Sequence, residues 1–354
     1  MSSSLSVGVL GASGYTGAEL VRLIAGHPRL SLAWVGAQSN AGKRLGAVLP
    51  ATEGVPGLGD REIEAFDPAN AAELAARVDV VFTALPHAAS ARAGAALFGA
   101  GVRVVDLSAD FRLRNVATYE KWYGQHPARE LLETAVYGLP ELHRDELAGA
   151  RLIAAPGCYP TSATLALAPV LRAKLVEPTG IVIDSKSGVS GAGRSPTPST
   201  HLPETAEGLR AYKVAGSHRH VPEIEQELGR AAGEEIRVTF TPHLAPMSRG
   251  ILTTAYARLS PGTTAQSCRD AAKKLYAGGL VTVLDDGRLP DTLHVRGSAR
   301  AHVAYAADER TGVLLALCAI DNLARGASAQ AIQALNVSLG WPDALGLPEV
   351  GLFP

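Results

Sequence analysis

Hydrophobic and polar positions along this chain follow two rhythms. Up to about residue 155, short apolar runs alternate with helix-like stretches. Leu5–Leu10 is small, apolar or β-branched; it enters the glycine-rich GASGYTG, and the helical pattern AELVRLIAGHP follows, ending near Pro28. A second strand is expected at residues 30–37, a fourth-strand candidate at 78–85, and a further strand at 102–107 after an Ala-rich helix over 88–98. After about residue 155, longer alternating strands take over, at 180–185, 236–242, 251–259, 281–284, 301–307 and 313–320, with AADERTG reading as a hairpin turn between the last two.

Strands alternating with helices predict a parallel, doubly wound sheet with right-handed crossovers, a Rossmann-like unit. Runs of strands with few crossovers predict an α+β unit on a mixed or antiparallel sheet. The expected class is α/β with two domains, residues 1–155 and 156–320, and a helical segment at about 321–354 returning to complete the first. A chain of 354 residues also exceeds the size at which one core usually stops growing.

Composition narrows the partners. With 47% hydrophobic and 19% charged residues and a net charge of -1, the chain has neither the basic surplus of a nucleic-acid binder nor a field that steers an anion from afar. Locally placed Lys and Arg must therefore catch any phosphate or carboxylate. The apolar run Val313–Ile320 is far short of the roughly 20 residues that span a bilayer, and the N-terminus lacks the positive region of a signal peptide. Three cysteines without CxxC spacing suit neither a disulfide framework nor a zinc site. These features predict a cytoplasmic enzyme without a metal, assembled as a homodimer or homotetramer, the common closed forms.

Gly11, Gly14 and Gly17 stand between a strand and a helix with GxxGxxG spacing, so backbone N–H groups and the helix N-terminus can meet a pyrophosphate; Ser13, Tyr15 and Thr16 line the same turn. No Asp or Glu closes the second strand to take a ribose hydroxyl. Ser39, Lys43 and Arg44 stand there instead, a set suited to a 2′-phosphate, which points to NADP; the competing reading is a polar loop with incidental cations. Cys158 follows Pro156-Gly157 at the start of the helical run SATLALAPVLRAKL, where the macrodipole favours a thiolate nucleophile. Cys318 in an apolar strand and Cys268 within a helix read as structural.

The segments GASGYTGAEL, SADFR, PGCYPT, SKSGVSGAGR, HRHVPEIEQEL, PHLAPMSRGIL and IDNLARGASAQAIQALN resemble the N-acetyl-gamma-glutamyl-phosphate reductases over nearly the whole chain. The glycine turn alone would equally admit aspartate-semialdehyde dehydrogenase, which is similar in architecture. Two departures are visible: Ser162 after Thr161, and Ala327-Ser328-Ala329 in place of a more glycine-rich turn. The resemblance implies NADPH-dependent reduction of an acyl phosphate in arginine biosynthesis through a Cys158 thioester. His218 or His220 would act as acid/base and the other bind substrate, since the two would point to opposite faces if the segment is extended. Pro86, Ser187, Gly188 and Asn322 are expected near the cofactor, and Arg112, Lys186, Arg194 and Arg249 near the anionic substrate. The remaining histidines read as solvent or packing residues. A relative acting on aspartyl or carrier-bound aminoadipyl phosphate, a Cys/His hydrolase or acyltransferase, and an NADP-binding sensor are the alternatives.

Overall fold

The computed structural model describes residues 4–354. It divides into two compact units, one formed by residues up to 156 together with 327–347, the other by 157–326 with 348–354.

In the first unit, β1 (Leu5–Leu10), β2 (Leu30–Gly36), β3 (Val80–Thr83), β4 (Arg103–Asp106), β5 (Val136–Tyr137) and β6 (Leu152–Ala154) form a parallel sheet in the order β2-β1-β3-β4-β6-β5. Val7, Val9, Val80, Val81, Phe82, Val104, Val105 and Ile153 are fully buried, as a sheet covered on both faces requires, which is why its strands read as continuous apolar runs. Strand order reverses between β1 and β3, the switch point at which doubly wound sheets bind ligands. The run at 78–85 is the third strand and not the fourth, because residues 45–75 form only short helices, Leu45–Val48 and Ala71–Ala75, with turns between them. The returning segment is a buried helix, Ala329–Ser338, tied down by Gln330 Nε2 donating to Gly138 O at 2.7 Å. Residues 348–354 pack instead within the second unit, where the Ala299 N–H donates to Pro348 O at 2.8 Å and Leu352 N–H to Arg296 O at 2.7 Å.

The second unit holds a seven-stranded sheet of β7 (Ile181–Gly188), β8 (Arg210–Ala211), β9 (Val238–Ala245), β10 (Ile251–Arg258), β11 (Val281–Val283), β12 (Ala301–Asp308) and β13 (Val313–Ile320), in the order β11-β12-β13-β10-β7-β9-β8. The β7–β9 and β11–β12 pairs are parallel and the others antiparallel, so the sheet is mixed. One face packs Ile183, Ala255 and Ala316 inward beneath the helix Cys158–Arg172, whose Ala166 carbonyl accepts the Tyr305 hydroxyl at 3.0 Å. On the other face Val182 and Tyr256 are exposed and lie in register with Leu315 and Ala306. β7 runs three residues past its expected end at Ser185, since both neighbours keep pairing with it to Ser187 or Gly188; Lys186, Ser187 and Gly188 are therefore strand residues.

Candidate active site

The glycine turn follows β1. Gly11 has φ +93°, and a Cβ there would stand 2.4 Å from Ala84 O; a Cβ on Gly17 would stand 2.2 Å from Gly11 O. These two glycines are demanded by backbone crossing backbone. Gly14 differs: it is the N-cap of the helix Tyr15–Ala25, and a Cβ there would meet only Gly11 O, at 3.6 Å. The open space beside Gly14 leaves room for a pyrophosphate to approach. The helix start carries no acidic residue in its first turn and no side-chain cap, so the cradle fits a dinucleotide phosphate.

Beyond β2, Ser39 and Lys43 are exposed, with Lys43 Nζ donating to Asn40 Oδ1 at 3.2 Å. Arg44 points to Glu53 (3.1 Å) and Asp60 (2.6 Å). The carboxylate that comes beside the strand end is Glu64, bridged to Gly36, but Arg77 holds it with two hydrogen bonds of 2.8 and 2.6 Å and keeps its carboxyl below the usual range. Sequence reasoning could not see Glu64 or its neutralisation.

Pro86 follows β3, its carbonyl accepting the Ser90 N–H at 3.1 Å. Arg112 is buried, and its Nε and Nη2 donate to the Ala155 and Leu107 carbonyls, both at 2.7 Å, so it braces two strand ends. Beside it Asp106 accepts hydroxyls from Thr83, Ser90 and Ser108, and burial pushes its carboxyl upward.

Cys158 is the first residue of the 15-residue helix Cys158–Arg172 and is half-buried, whereas every residue from 159 to 171 is buried. The preceding amide is held from another helix: the Gly157 N–H donates to the buried Glu223 Oε1 at 2.8 Å. Gly326 packs over Cys158, and a Cβ on it would lie 2.8 Å from Cys158 Cβ. Neither Glu223 nor Gly326 was singled out from sequence, though EIEQ and the Gly in ARGAS lie within segments that were. Burial pushes the other two thiols up, Cys268 to about 11 and Cys318 to about 12. The unexpected Ser162 joins a buried hydroxyl chain, Ser162 to Thr253 at 2.7 Å and Thr253 to Ser185 at 2.8 Å.

His218 and His220 lie in a turn, not an extended strand, so the condition for opposite faces is not met: their ring centroids are 4.9 Å apart and both abut Tyr159. His218 is buried between Tyr159, Tyr212 and Phe240, and its Nδ1 accepts the His220 N–H at 3.1 Å. Burial, with His220 and Lys213 adding to it, lowers its pKa to about 3, so the ring stays neutral. His220 is half-buried at the N-cap of the helix Val221–Ala232, the same helix that carries Glu223.

Of the expected anion ligands, Lys186 pairs with Asp184 at 2.5 Å and Arg249 with the fully buried Asp321 at 3.3 Å, while Arg194 is exposed after a short helical turn. Asn322 knits the segments together, accepting the Gly250 N–H at 2.8 Å and donating to Ser190 Oγ at 2.9 Å. Ser187 Oγ donates to Gly188 O, and a Cβ on Gly188 would press on Arg249 N at 2.8 Å. Among the described residues no group of three or more His, Cys, Asp or Glu is placed to hold a metal, and no helix is long and apolar enough to cross a membrane.

Comparisons with known proteins identify the family and the fold. Residues 6–150 match the semialdehyde dehydrogenase NAD binding domain, and residues 158–322 the semialdehyde dehydrogenase dimerisation domain. The N-acetyl-gamma-glutamyl-phosphate reductase of Syntrophobacter fumaroxidans is 48% identical over 350 residues, covering 99% of this chain and 100% of that protein; that of Magnetococcus marinus is 47% identical over 356 residues, with both chains fully covered. Among solved structures, aspartate semialdehyde dehydrogenase II of Vibrio cholerae, complexed with ASA, superimposes with a TM-score of 0.70 at 16% identity, over 96% of this chain and 99% of that one. The Candida albicans aspartate semialdehyde dehydrogenase with NADP gives 0.68 at 16%, over 94% and 98%. At those identities the structural likeness establishes the fold, and the sequence relatives carry the rest: the chain belongs to the N-acetyl-gamma-glutamyl-phosphate reductase family.

Proposed function

We propose that this protein reduces N-acetyl-L-glutamyl 5-phosphate to N-acetyl-L-glutamate 5-semialdehyde with NADPH, releasing phosphate, in arginine biosynthesis. The observation that carries this is Cys158 at the first position of a buried helix, its turn anchored by Glu223 on the helix that His220 caps. Cys158 Sγ attacks the acyl carbonyl, the carbon–oxygen bond to phosphate breaks, and a thioester remains; sulfur donates poorly into a carbonyl, so this intermediate accepts hydride more readily than an ester would. A nicotinamide, when bound, would supply that hydride. Amides at the helix start, Cys158 and Tyr159, are the natural donors to the oxyanion of the thiohemiacetal, since Gly157 N–H is committed to Glu223 and Pro160 has none. His220 protonates that oxygen and takes the proton back as the thiolate leaves, a role denied to His218 by its occupied Nδ1 and low basicity.

Gly11, Ser13, Gly14, Tyr15, Thr16 and Gly17 would hold the pyrophosphate, with Pro86, Ser187, Gly188 and Asn322 toward the nicotinamide. Ser39 and Lys43, with Arg44 behind them, would hold a 2′-phosphate; Glu64 is neutralised by Arg77 and so is a weaker partner for a 2′-hydroxyl, which supports NADP over NAD. Arg112, Lys186, Arg194 and Arg249 set the positive surroundings of the substrate. The row of the second sheet formed by the exposed Val182 and Tyr256 with the half-buried Leu315 is the surface through which two copies would associate in the cytoplasm as a dimer or tetramer. The test is NADPH oxidation with freshly prepared N-acetylglutamyl phosphate. Turnover should exceed that with aspartyl phosphate, and kcat/KM should favour NADPH over NADH, each by at least about tenfold. No NADPH oxidation with the acetylated substrate would end this reading.

A further inference from the structure

Of the four cations first expected to hold the substrate, Arg112 is held by the Ala155 and Leu107 carbonyls, and two are matched by acids within their own unit, Lys186 by Asp184 and Arg249 by Asp321. One lysine near the nucleophile is not. Lys213 pairs with no acid among the described residues, is exposed, and sits in an unusual backbone conformation, φ +45°, with Ala215 at +54° and Gly216 at +75° behind it. Such φ values strain a side chain bearing a Cβ. Of the two other strained non-glycine residues, Lys174 follows the C-cap of Cys158–Arg172, a common left-handed helix ending, and Ala88 stands at the N-cap of Ala89–Gly99. Lys213 and Ala215 have no such reason; they lie in the turn between β8 and His220.

That turn is anchored against the site at both ends. Tyr212, next to Lys213, donates its hydroxyl to Tyr159 Oη at 3.0 Å, and Tyr159 follows the nucleophile directly. At the other end His218 packs its ring 5.5 Å from Tyr159 and 5.5 Å from Tyr212, and the charge of Lys213 reaches it. We propose that Lys213 is the cation that binds the substrate's unreactive carboxylate and so selects acyl phosphates that carry one. An ammonium on a four-carbon stem at the exposed rim suits the trailing carboxylate, while the reacting carbonyl and its phosphate must lie at the helix start beside Cys158. The inference rests on the activity proposed above and adds the residue that decides which acyl group is accepted.

The reaction run backwards tests it: NADP reduction by N-acetylglutamate 5-semialdehyde with phosphate, compared with 4-acetamidobutanal, which lacks only the carboxylate. The wild type should prefer the semialdehyde. In Lys213→Ala its KM should rise about 10- to 100-fold, the span of one charge-assisted contact, with kcat within about threefold, and the preference over 4-acetamidobutanal should collapse. Lys213→Arg should restore much of the preference. Lys213→Gly, which relieves the backbone strain, should behave like Lys213→Ala and separates loss of charge from misfolding. Retained preference in both uncharged variants overturns the proposal, and so does a raised KM for phosphate with the preference intact, which would give Lys213 to the phosphate instead. A wild type that fails to oxidise the semialdehyde at all overturns the parent activity, a result distinct from either.

Discussion

The two histidines two positions apart differ in what their rings already hold. His218 accepts a backbone N–H and is walled by aromatics, whereas His220 caps a helix at half exposure. His220→Asn should therefore lower kcat about 10²- to 10⁴-fold, the usual weight of acid/base catalysis, while His218→Phe should act mainly on stability. The sign of the pH effect follows from the direction of the shift. With its folded pKa depressed to about 3 from 6.5, His218 binds more protons when unfolded between those values, so the stability it confers is complete above about pH 6.5 and is lost as pH falls toward 3. Urea midpoints of wild type and His218→Phe at pH 7.5 and 4.5 check this: the wild type should lose more on acidification, and equal losses would show that His218 does not stay neutral in the fold. At this scale the sequence disclosed the residue types but not their standing. Nothing in HRH distinguishes a ring packed among aromatics from one left half exposed, because the distinction depends on Tyr159, Tyr212 and Phe240, brought from elsewhere in the chain.

Elements were legible where their periodicity was long. The parallel sheet announced itself through uninterrupted buried runs, and the helix start at Cys158 through Pro156-Gly157, because burial on both faces and turn chemistry are local signals. The two-residue strands β5 and β8 are too short to show a period, and β7 outran its expected end because its neighbours, not its own Gly and Ser residues, decide where pairing stops. The glycine turn shows the same division of labour. Gly17→Ala would drive a Cβ to 2.2 Å from Gly11 O and should lower Tm by several degrees, whereas Gly14→Ala has room in the free fold, at 3.6 Å, and should leave Tm unchanged while weakening NADPH binding at least tenfold. Calorimetry on both variants with cofactor titration separates the two; equal losses of Tm would mean that Gly14, too, serves only the fold.

At the scale of the molecule, the second unit matches a dimerisation domain and leaves Val182 and Tyr256 on an open sheet face. Light scattering should give at least twice the chain mass of 36.7 kDa, and Tyr256→Arg, which sets a charge in that row, should shift the population toward monomer; an unaffected mass would move the interface elsewhere. How two such copies meet leaves no periodic trace in the chain, so the sequence supported only the expectation of an oligomer. The central claim concerns one sulfur atom, and the direct measurement is intact-protein and peptide mass spectrometry after mixing the enzyme with N-acetylglutamate 5-semialdehyde and NADP in the absence of phosphate. One N-acetylglutamyl group should accumulate per chain, on the peptide bearing Cys158, be released on adding phosphate, and be absent from Cys158→Ala. An adduct on Cys268, Cys318 or another side chain, or continued turnover by Cys158→Ala, would contradict the account.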